Sequence, residues 1–368
     1  MFLFPRRLAA REAASAQPAE KGRPRTRFAG PGKFPAAFIG WNKGPSQRGL
    51  TCGNRRRPAA WPVKRAKQSG WQDKMQNDSR YTVIIPTLNA ARQIERLIKA
   101  LRDQTRPPEG ILIVDSQSDD DTVRLARSFD GVEVMAVRRG EFDHGTTRDI
   151  AVRSTDAPYV VLMTQDALPM DEGCMEALLA PLEDDEGIAA VCGRQVAYPD
   201  ATAREKAIRE YRYPAEDRRW SREDIPGLGM RAFLLSDTCS AYRRDAYEAV
   251  GGFAHGVRTN EDMLIAADFL KAGYKLAYQG QARVRHSHNH SMREEYFRNY
   301  GVGAFLETYA DHFAGASDTS EGMRLVRSVV RQLIAGGRFW EILPFGASCA
   351  ARLLGNRRGR RAVRRSKT

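Results

Sequence analysis

Residues 159–163 read YVVLM, an apolar run with the length of a buried strand, and they lead directly into Thr164, Gln165 and Asp166. A core strand that ends on a carboxylate needs a reason. Three other apolar runs end in a similar way. The first, from Tyr81, brings Pro86, Thr87 and Asn89; the second, from Gly110, brings Asp115, Ser116 and Ser118; the third, from Val132, is followed by His144 and Arg148. Acids, hydroxyls and one guanidinium gathered like this suit a nucleotide, with acceptors for base and ribose, a cation for phosphate and a carboxylate for a divalent metal. A single carboxylate with phosphate oxygens and waters is an ordinary environment for Mg2+ or Mn2+. On local grounds Asp166 is equally well explained as a helix N-cap before LPMDEG. Neither GxxxxGK[ST] nor GxGxxG occurs among these runs, which disfavours a P-loop or a dinucleotide fold.

The elements that must position these residues follow from periodicity. Strands are expected at 81–87, 110–116, 132–137 and 159–166. Ile94, Leu97, Ile98 and Leu101 fall at i, i+3, i+4 and i+7 and predict a helix; further helices are expected within 119–129 and over 146–154. Continuous apolar strands separated by helices indicate a parallel α/β sheet covered on both faces. Ligands of such sheets bind at the carboxyl ends of the strands, which is where the polar residues sit.

Further along, His286, His288 and His290 are spaced by two, so in a strand all three would face one way as metal or diphosphate ligands; solvated loop histidines are the alternative. Tyr211, Tyr213, Arg218, Arg219 and Trp220 lie in a stretch that offers aromatic faces to a sugar as an acceptor lid, or simply packs.

The net charge of +14 is unevenly distributed: residues 1–74 carry +14, residues 324–368 carry +11, and the body between them carries −11. An acidic body argues against a nucleic-acid-binding domain, while basic ends point to an anionic surface. The first 74 residues, rich in Arg, Pro, Gly and Ala, read as disordered, and the composition changes at Met75, a candidate alternative start. Five scattered cysteines without CxxC spacing suit a reducing compartment. No signal peptide and no apolar run of membrane-spanning length are read from the sequence. Near the end, Val326, Val329, Val330, Leu333 and Ile334 share a helical face beside Arg324, Arg327 and Arg331. A basic amphipathic helix of this kind suits an anionic membrane leaflet, with packing on the body as the alternative.

The motifs VIIPTLNA, IVDSQSDDDT, HGTTRD, TQDALP, YEAVGGF and NEDMLIAADFLKAGY occur in this order over about residues 81–300. In this the chain resembles the family 2 glycosyltransferases of GT-A fold, most closely their rhamnosyltransferase-type members. The resemblance implies that Thr87 and Asp115 contact the nucleoside, that Arg148 lies near the nucleotide, and that Asp166 binds the metal. It further implies that Asp262 is the catalytic base with Glu261 in support, and that a histidine such as His286 or His288 approaches the metal. The acidic first turn of a helix would explain Glu261 and Asp262 without any function. One departure stands out: the family's Asp-x-Asp reads Thr164-Gln165-Asp166 here, so one carboxylate is missing.

The expected organisation is a disordered extension over 1–78 and a GT-A domain over 79–315, with a nucleotide half (79–170) and an acceptor half (171–315). A basic amphipathic region follows over 316–368. The expected nucleotide contacts are Pro86, Thr87, Asn89, Asp115, Ser118, Arg148, Thr164 and Gln165. The expected metal ligands are Asp166, His286 and His288, for Mg2+ or Mn2+. The expected activity is inverting transfer of a sugar, rhamnose among the candidates, from a nucleotide-diphosphate donor to a glycan or lipid-linked acceptor. The expected place is the cytoplasmic face of the membrane, without nucleic acid. The rivals are a sugar nucleotidylyltransferase, whose Gly-rich signature PTLNAARQ lacks, and a non-catalytic binder acting through its basic ends.

Overall fold

The computed structural model describes residues 79–316 and 321–367. The extension expected over 1–78 lies outside the described residues. The strands are β1 (Tyr81–Thr87), β2 (Gly110–Asp115), β3 (Val132–Ala136), β4 (Tyr159–Met163), β5 (Leu168–Pro169), β6 (Ile188–Val196), β7 (Arg218–Trp220), β8 (Cys239–Arg243) and β9 (Lys275–Arg285). The helices are α1 (Ile94–Arg102), α2 (Thr122–Arg127), α3 (His144–Arg153), α4 (Cys174–Asp184), α5 (Ala203–Arg212) and α6 (Ile225–Leu228). They continue with α7 (Arg244–Ala249), α8 (Glu261–Lys271), α9 (Met292–Thr308), α10 (Glu321–Ala335) and α11 (Ile342–Lys367).

The nine described strands form one sheet in the order β3-β2-β1-β4-β8-β6-β9-β5, with β7 also paired to β9. The side-chain alternation of each strand divides the core in two. Ile84, Leu112, Val160 and Leu162 join the cluster on one face, whereas Val83, Ile85, Ile111, Ile113, Val161 and Met163 join that on the other. Strands buried on both sides need apolar residues at successive positions, which is why β1, β2 and β4 read as unbroken apolar runs.

Strand direction decides what reaches the functional edge. Strands β1 to β4 are parallel neighbours. β8 is antiparallel to β4 and to β6, and β6 is parallel to β9. The carboxyl ends of β1, β2, β4, β6 and β9 therefore share one edge with the amino end of β8. β1 lies between β2 and β4, so the strand order reverses there, the place where open α/β sheets bind ligands. The sheet also crosses the expected boundary at 170 without a break, since β4 pairs with β8 and β5 with β9.

Two expectations are revised locally. β4 stops at Met163, so Thr164–Asp166 occupy the turn after it, and the next helix begins only at Cys174 with Gly173 as its N-cap. Asp166 is therefore not a helix cap. β9 ends at Arg285, so His286, His288 and His290 follow the strand and do not alternate within it.

The middle of the amphipathic face expected to meet a membrane is covered by protein, while Ile334 at its end is exposed. Val329 and Leu333 of α10 are buried against Ala207 and Ile208 of α5 and Phe345 of α11. α11 is in turn held on α9, where a Cβ at Gly303, Gly355 or Gly359 would overlap a backbone carbonyl of the facing helix. Gly359→Ala should push α11 away from Tyr300 and destabilise the protein by about 1–3 kcal/mol, the usual cost of overpacking; thermal unfolding of the purified variant checks this.

Candidate active site

Asp166 is met from β9. Its Oδ2 lies 3.1 Å from His288 Nε2 and 3.5 Å from His286 Nε2, and the two histidine nitrogens are 3.1 Å apart. Ligand atoms bound about 2.1 Å from one ion in octahedral or tetrahedral geometry stand about 3.0–3.4 Å from one another. The three side chains thus present one atom each at the spacing of a metal's coordination shell, and they are the three-residue metal-ligand group found among the described residues. His290 does not join them: it stacks on His288 at 5.2 Å between ring centroids and lies 4.0 Å from Glu294.

The support behind this cluster favours a ligand role. Gln195, at the end of β6, donates from Nε2 to Tyr213 Oη at 2.9 Å and to Ser236 Oγ at 2.8 Å, which turns its Oε1 toward His286 Nδ1 at 2.9 Å. An amide oxygen only accepts, so Nδ1 carries the proton and Nε2 keeps its lone pair for the cluster. Arg209 also donates to Gln195 Oε1. Burial pushes the His286 imidazolium down in pKa, against the pull of Asp166, so His286 is neutral. Burial opposes ionisation of Asp166, but the neighbouring His286 and His288 rings outweigh this and hold its carboxyl well below the usual range. A neutral imidazole and an ionised carboxylate are the forms that bind metal.

The carboxyl ends of β1 and β2 are tied into one cradle. Asp115 Oδ1 accepts from Thr87 Oγ1 at 3.0 Å and from Ser118 Oγ at 2.5 Å, and its Oδ2 accepts from Ser118 N at 2.9 Å. Ser118 Oγ accepts from Asn89 N at 2.8 Å, and Asn89 Oδ1 accepts from Asp119 N at 2.8 Å. Asn89 and Gln117 both adopt left-handed backbone, the sharp turns this cradle requires. Pro86 sits half-buried in β1. Gln165 spends both ends of its amide on Leu88, accepting from its N at 2.8 Å and donating to its O at 3.2 Å. It thereby locks the Asp166 turn to the end of β1. Thr164, where a second carboxylate was expected, keeps a buried Oγ1 without a hydrogen-bond partner.

The third part of the site is a buried charge network. Arg148, on α3, donates to Glu261 at the start of α8, lies 3.3 Å from His144 Nδ1, and places Nε 3.6 Å from Asp237 Oδ2. Burial and the Arg148 charge together lower the His144 pKa to about 3, which keeps the ring neutral. Arg148 and Glu261 are both buried, so Arg148 is engaged with carboxylates beneath the surface, and Glu261 reaches Arg148 as its partner. Asp262, next in sequence, is half-buried and accepts from Met263 N at 2.9 Å. Burial, reinforced by the negative charge of Asp237, pushes its carboxyl up to about 7.

Asp237 and Gln195 were missed in the sequence. Asp237 is buried, accepts from Tyr242 Oη at 2.5 Å, and has its own pKa raised by burial despite Arg148. It precedes β8, the antiparallel strand, so it reaches the functional edge from an amino end; only topology reveals this. The segment Ser236–Thr238 also connects the parts, because Ser236 holds Gln195 behind His286 and Thr238 O accepts from Thr164 N at 3.3 Å. Two of the lid candidates pack: Trp220 is buried and donates from Nε1 to Ala232 O at 2.8 Å, and Tyr211 donates to Glu321 at 3.0 Å, whereas Arg218 and Arg219 are exposed.

Comparison with known proteins fits this architecture. The sequence model of "Glycosyl transferase family 2" matches residues 82–251. The O-antigen chain rhamnosyltransferase WbaN of Salmonella anatum is 37% identical over 265 residues, covering 71% of this chain and 83% of that protein. The O-antigen chain rhamnosyltransferase RfbN of Salmonella typhimurium is 36% identical with the same coverage. Among solved structures, the mannosyltransferase PcManGT from Pyrobaculum calidifontis, in complex with GDP-Man and Mn2+, is similar with a TM-score of 0.50 and 19% identity, over 75% of this chain and 86% of that one. A likeness this distant bears on the fold alone, which is the GT-A arrangement of a mostly parallel sheet between helices. With relatives of this identity aligned across most of their length, the chain belongs to glycosyl transferase family 2 and is a glycosyltransferase.

Proposed function

We propose that this enzyme transfers rhamnose from a nucleotide-diphosphate donor to a hydroxyl of a growing, lipid-linked surface glycan at the cytoplasmic membrane face. The observation that carries the reading is the convergence of Asp166, His286 and His288 on one point, tied through Ser236–Thr238 to the buried acids around Asp262. The names of the two Salmonella relatives support the sugar and the type of acceptor. Thr87, Asn89, Asp115 and Ser118, with Pro86 below them, form the nucleoside end, and Gln165 fixes that end relative to Asp166.

Mg2+ or Mn2+, held by Asp166, His286 and His288, would supply positive charge to the departing diphosphate. The two imidazoles compensate for the carboxylate absent at Thr164. Asp262 takes the proton of the acceptor hydroxyl as that oxygen attacks C1, and its raised pKa makes it a base suited to neutral pH. Arg148 balances Glu261 and Asp237, so the negative charge near Asp262 is partly neutralised without contact with the diphosphate. A single displacement of this kind inverts the anomeric centre.

A thermal-shift screen of nucleotide sugars with and without Mn2+ tests the reading. A nucleotide-diphosphate-rhamnose at 100 times its Kd should stabilise the native state by about 2.7 kcal/mol, with the shift depending on metal. If no nucleotide sugar raises Tm in the presence of Mn2+ and none is consumed, the proposal fails.

A further inference from the structure

The most exposed apolar side chains of the described residues lie at the C-terminal end, beside its arginines. Between α10 and α11 the chain makes a turn in which Phe339 is 60% and Trp340 64% exposed, and Leu343 at the start of α11 is 82% exposed. The Arg338 guanidinium lies 5.5 Å from the centre of the Trp340 ring. Packing explains why these residues face outward. Gly355 and Gly359 press one side of α11 onto α9, and Arg352 and Arg364 fasten that side to Glu295 and Glu307 at 2.5 and 2.8 Å. Phe345 turns into the α5–α10 cluster. What remains outside recurs every three or four residues: Leu343, Gly346, Ala350 and Leu354, then Arg357, Arg361 and Arg365, all exposed. An outward stripe thus runs from apolar to basic along a single helix of about 39 Å.

We infer that this stripe, led by the Phe339–Trp340–Leu343 turn, is a docking surface for an anionic lipid bilayer. The occupant follows from charge and chemistry. Residues 324–368 carry +11, so the same surface of a second copy would be repelled, whereas anionic headgroups attract it. An indole beside a guanidinium is the pairing that rests at the boundary between headgroups and acyl chains, and a leucine ahead of it enters the apolar layer. The inner side of the same helix brings Ser348 and Arg352 to a small cleft shared with His288 and His290. Docking through the outer side therefore keeps the metal cluster next to the helix that lies on the lipid. This deepens the proposed function, resting on its membrane-side acceptor; its test reads lipid binding rather than turnover, so the two fail separately.

The test is flotation of the full chain with phosphatidylethanolamine–phosphatidylglycerol vesicles and with phosphatidylcholine vesicles. The protein should float with the anionic vesicles, and the combined Phe339→Ser, Trp340→Ser and Leu343→Ser variant should lose about tenfold in partitioning. Arg357→Glu with Arg361→Glu should lose a similar factor and flatten the salt dependence. Every substituted side chain is exposed, so an unchanged Tm and unchanged hydrolysis of soluble donor certify the fold. The inference is overturned if the parent ignores anionic vesicles, or if the triple serine variant floats as the parent does, which would place binding elsewhere in the chain. It is also overturned if the parent is a dimer in solution that the triple variant converts to a monomer, since the patch would then be a subunit interface.

Discussion

Asp262→Asn should lower turnover about 10³-fold while leaving the Kd of the donor nearly unchanged, because an amide keeps the shape of the carboxyl but cannot take a proton. The same residue sets the pH dependence. Burial, with Asp237 adding negative charge, pushes Asp262 up to about 7. Only its ionised form acts as base, so kcat/KM should rise with pH through a limb near that value and level off above it. Asp237→Asn removes one of the two causes, so the limb should move to lower pH. A pH profile of both enzymes checks this together with donor titration by calorimetry. Unchanged turnover in Asp262→Asn would refute the assignment of the base and leave the fold and the metal cluster untouched.

Removing the metal should be comparably severe. Chelation is expected to abolish transfer, with recovery on adding Mn2+ or Mg2+, and Asp166→Ala should cost at least about 10²-fold in turnover. The charge argument is direct. Thr164 stands where a second carboxylate was expected, so Asp166 is the one carboxylate among the three converging ligands, and its loss leaves two imidazoles and no negative charge facing a dication. Gln195→Ala tests the arrangement behind the ligands. It touches no metal, yet it frees His286 to take the other tautomer, and about 10- to 100-fold weaker metal affinity is expected, the usual consequence of removing a hydrogen-bonded supporter. Titration of Mn2+ followed by electron paramagnetic resonance separates this from any effect on the base. Affinity equal to that of the parent would mean that Gln195 merely packs.

Both predictions depend on residues that differ in how openly the sequence displays them. Asp115 and Asp166 were visible because each ends an apolar run, and a polar group at the end of a fully buried parallel strand has few structural reasons to be there. His286 and His288 were visible through their spacing, although for a different reason from the observed one. They were expected to share a strand face; instead they leave β9 at Arg285 and fold back onto Asp166, with His286 N held by Val196 O at 2.9 Å. Arg148 was legible as a functional cation, but not its engagement with Glu261 and Asp237, which requires α3 and α8 to lie side by side.

The C-terminal region shows the same division more sharply. Periodicity correctly located an amphipathic helix containing Val329 and Leu333, since a 3.6-residue repeat is a property of the chain alone. Periodicity says nothing about what covers the face, and α5 covers it. The residues left outside, Phe339, Trp340 and Leu343, stand in a turn whose orientation depends on α11 packing onto α9.

Local pattern and residue chemistry were thus enough for the class of fold, the polar ends of its parallel strands, Asp166 in the turn after β4 and the acidic start of α8, because each is a matter of residues near one another in the chain or of their repeat along it. Asp237, Gln195 and the outward side of α11 emerged only from the folded chain. Their roles depend on strand direction and helix contact, which bring together groups dozens of positions apart, and such long-range pairings leave no periodic trace in the sequence. Asp237 is the clearest case: the same carboxylate before a parallel strand would lie at the opposite edge of the sheet, and β8 places it beside Asp262 because it runs against β4.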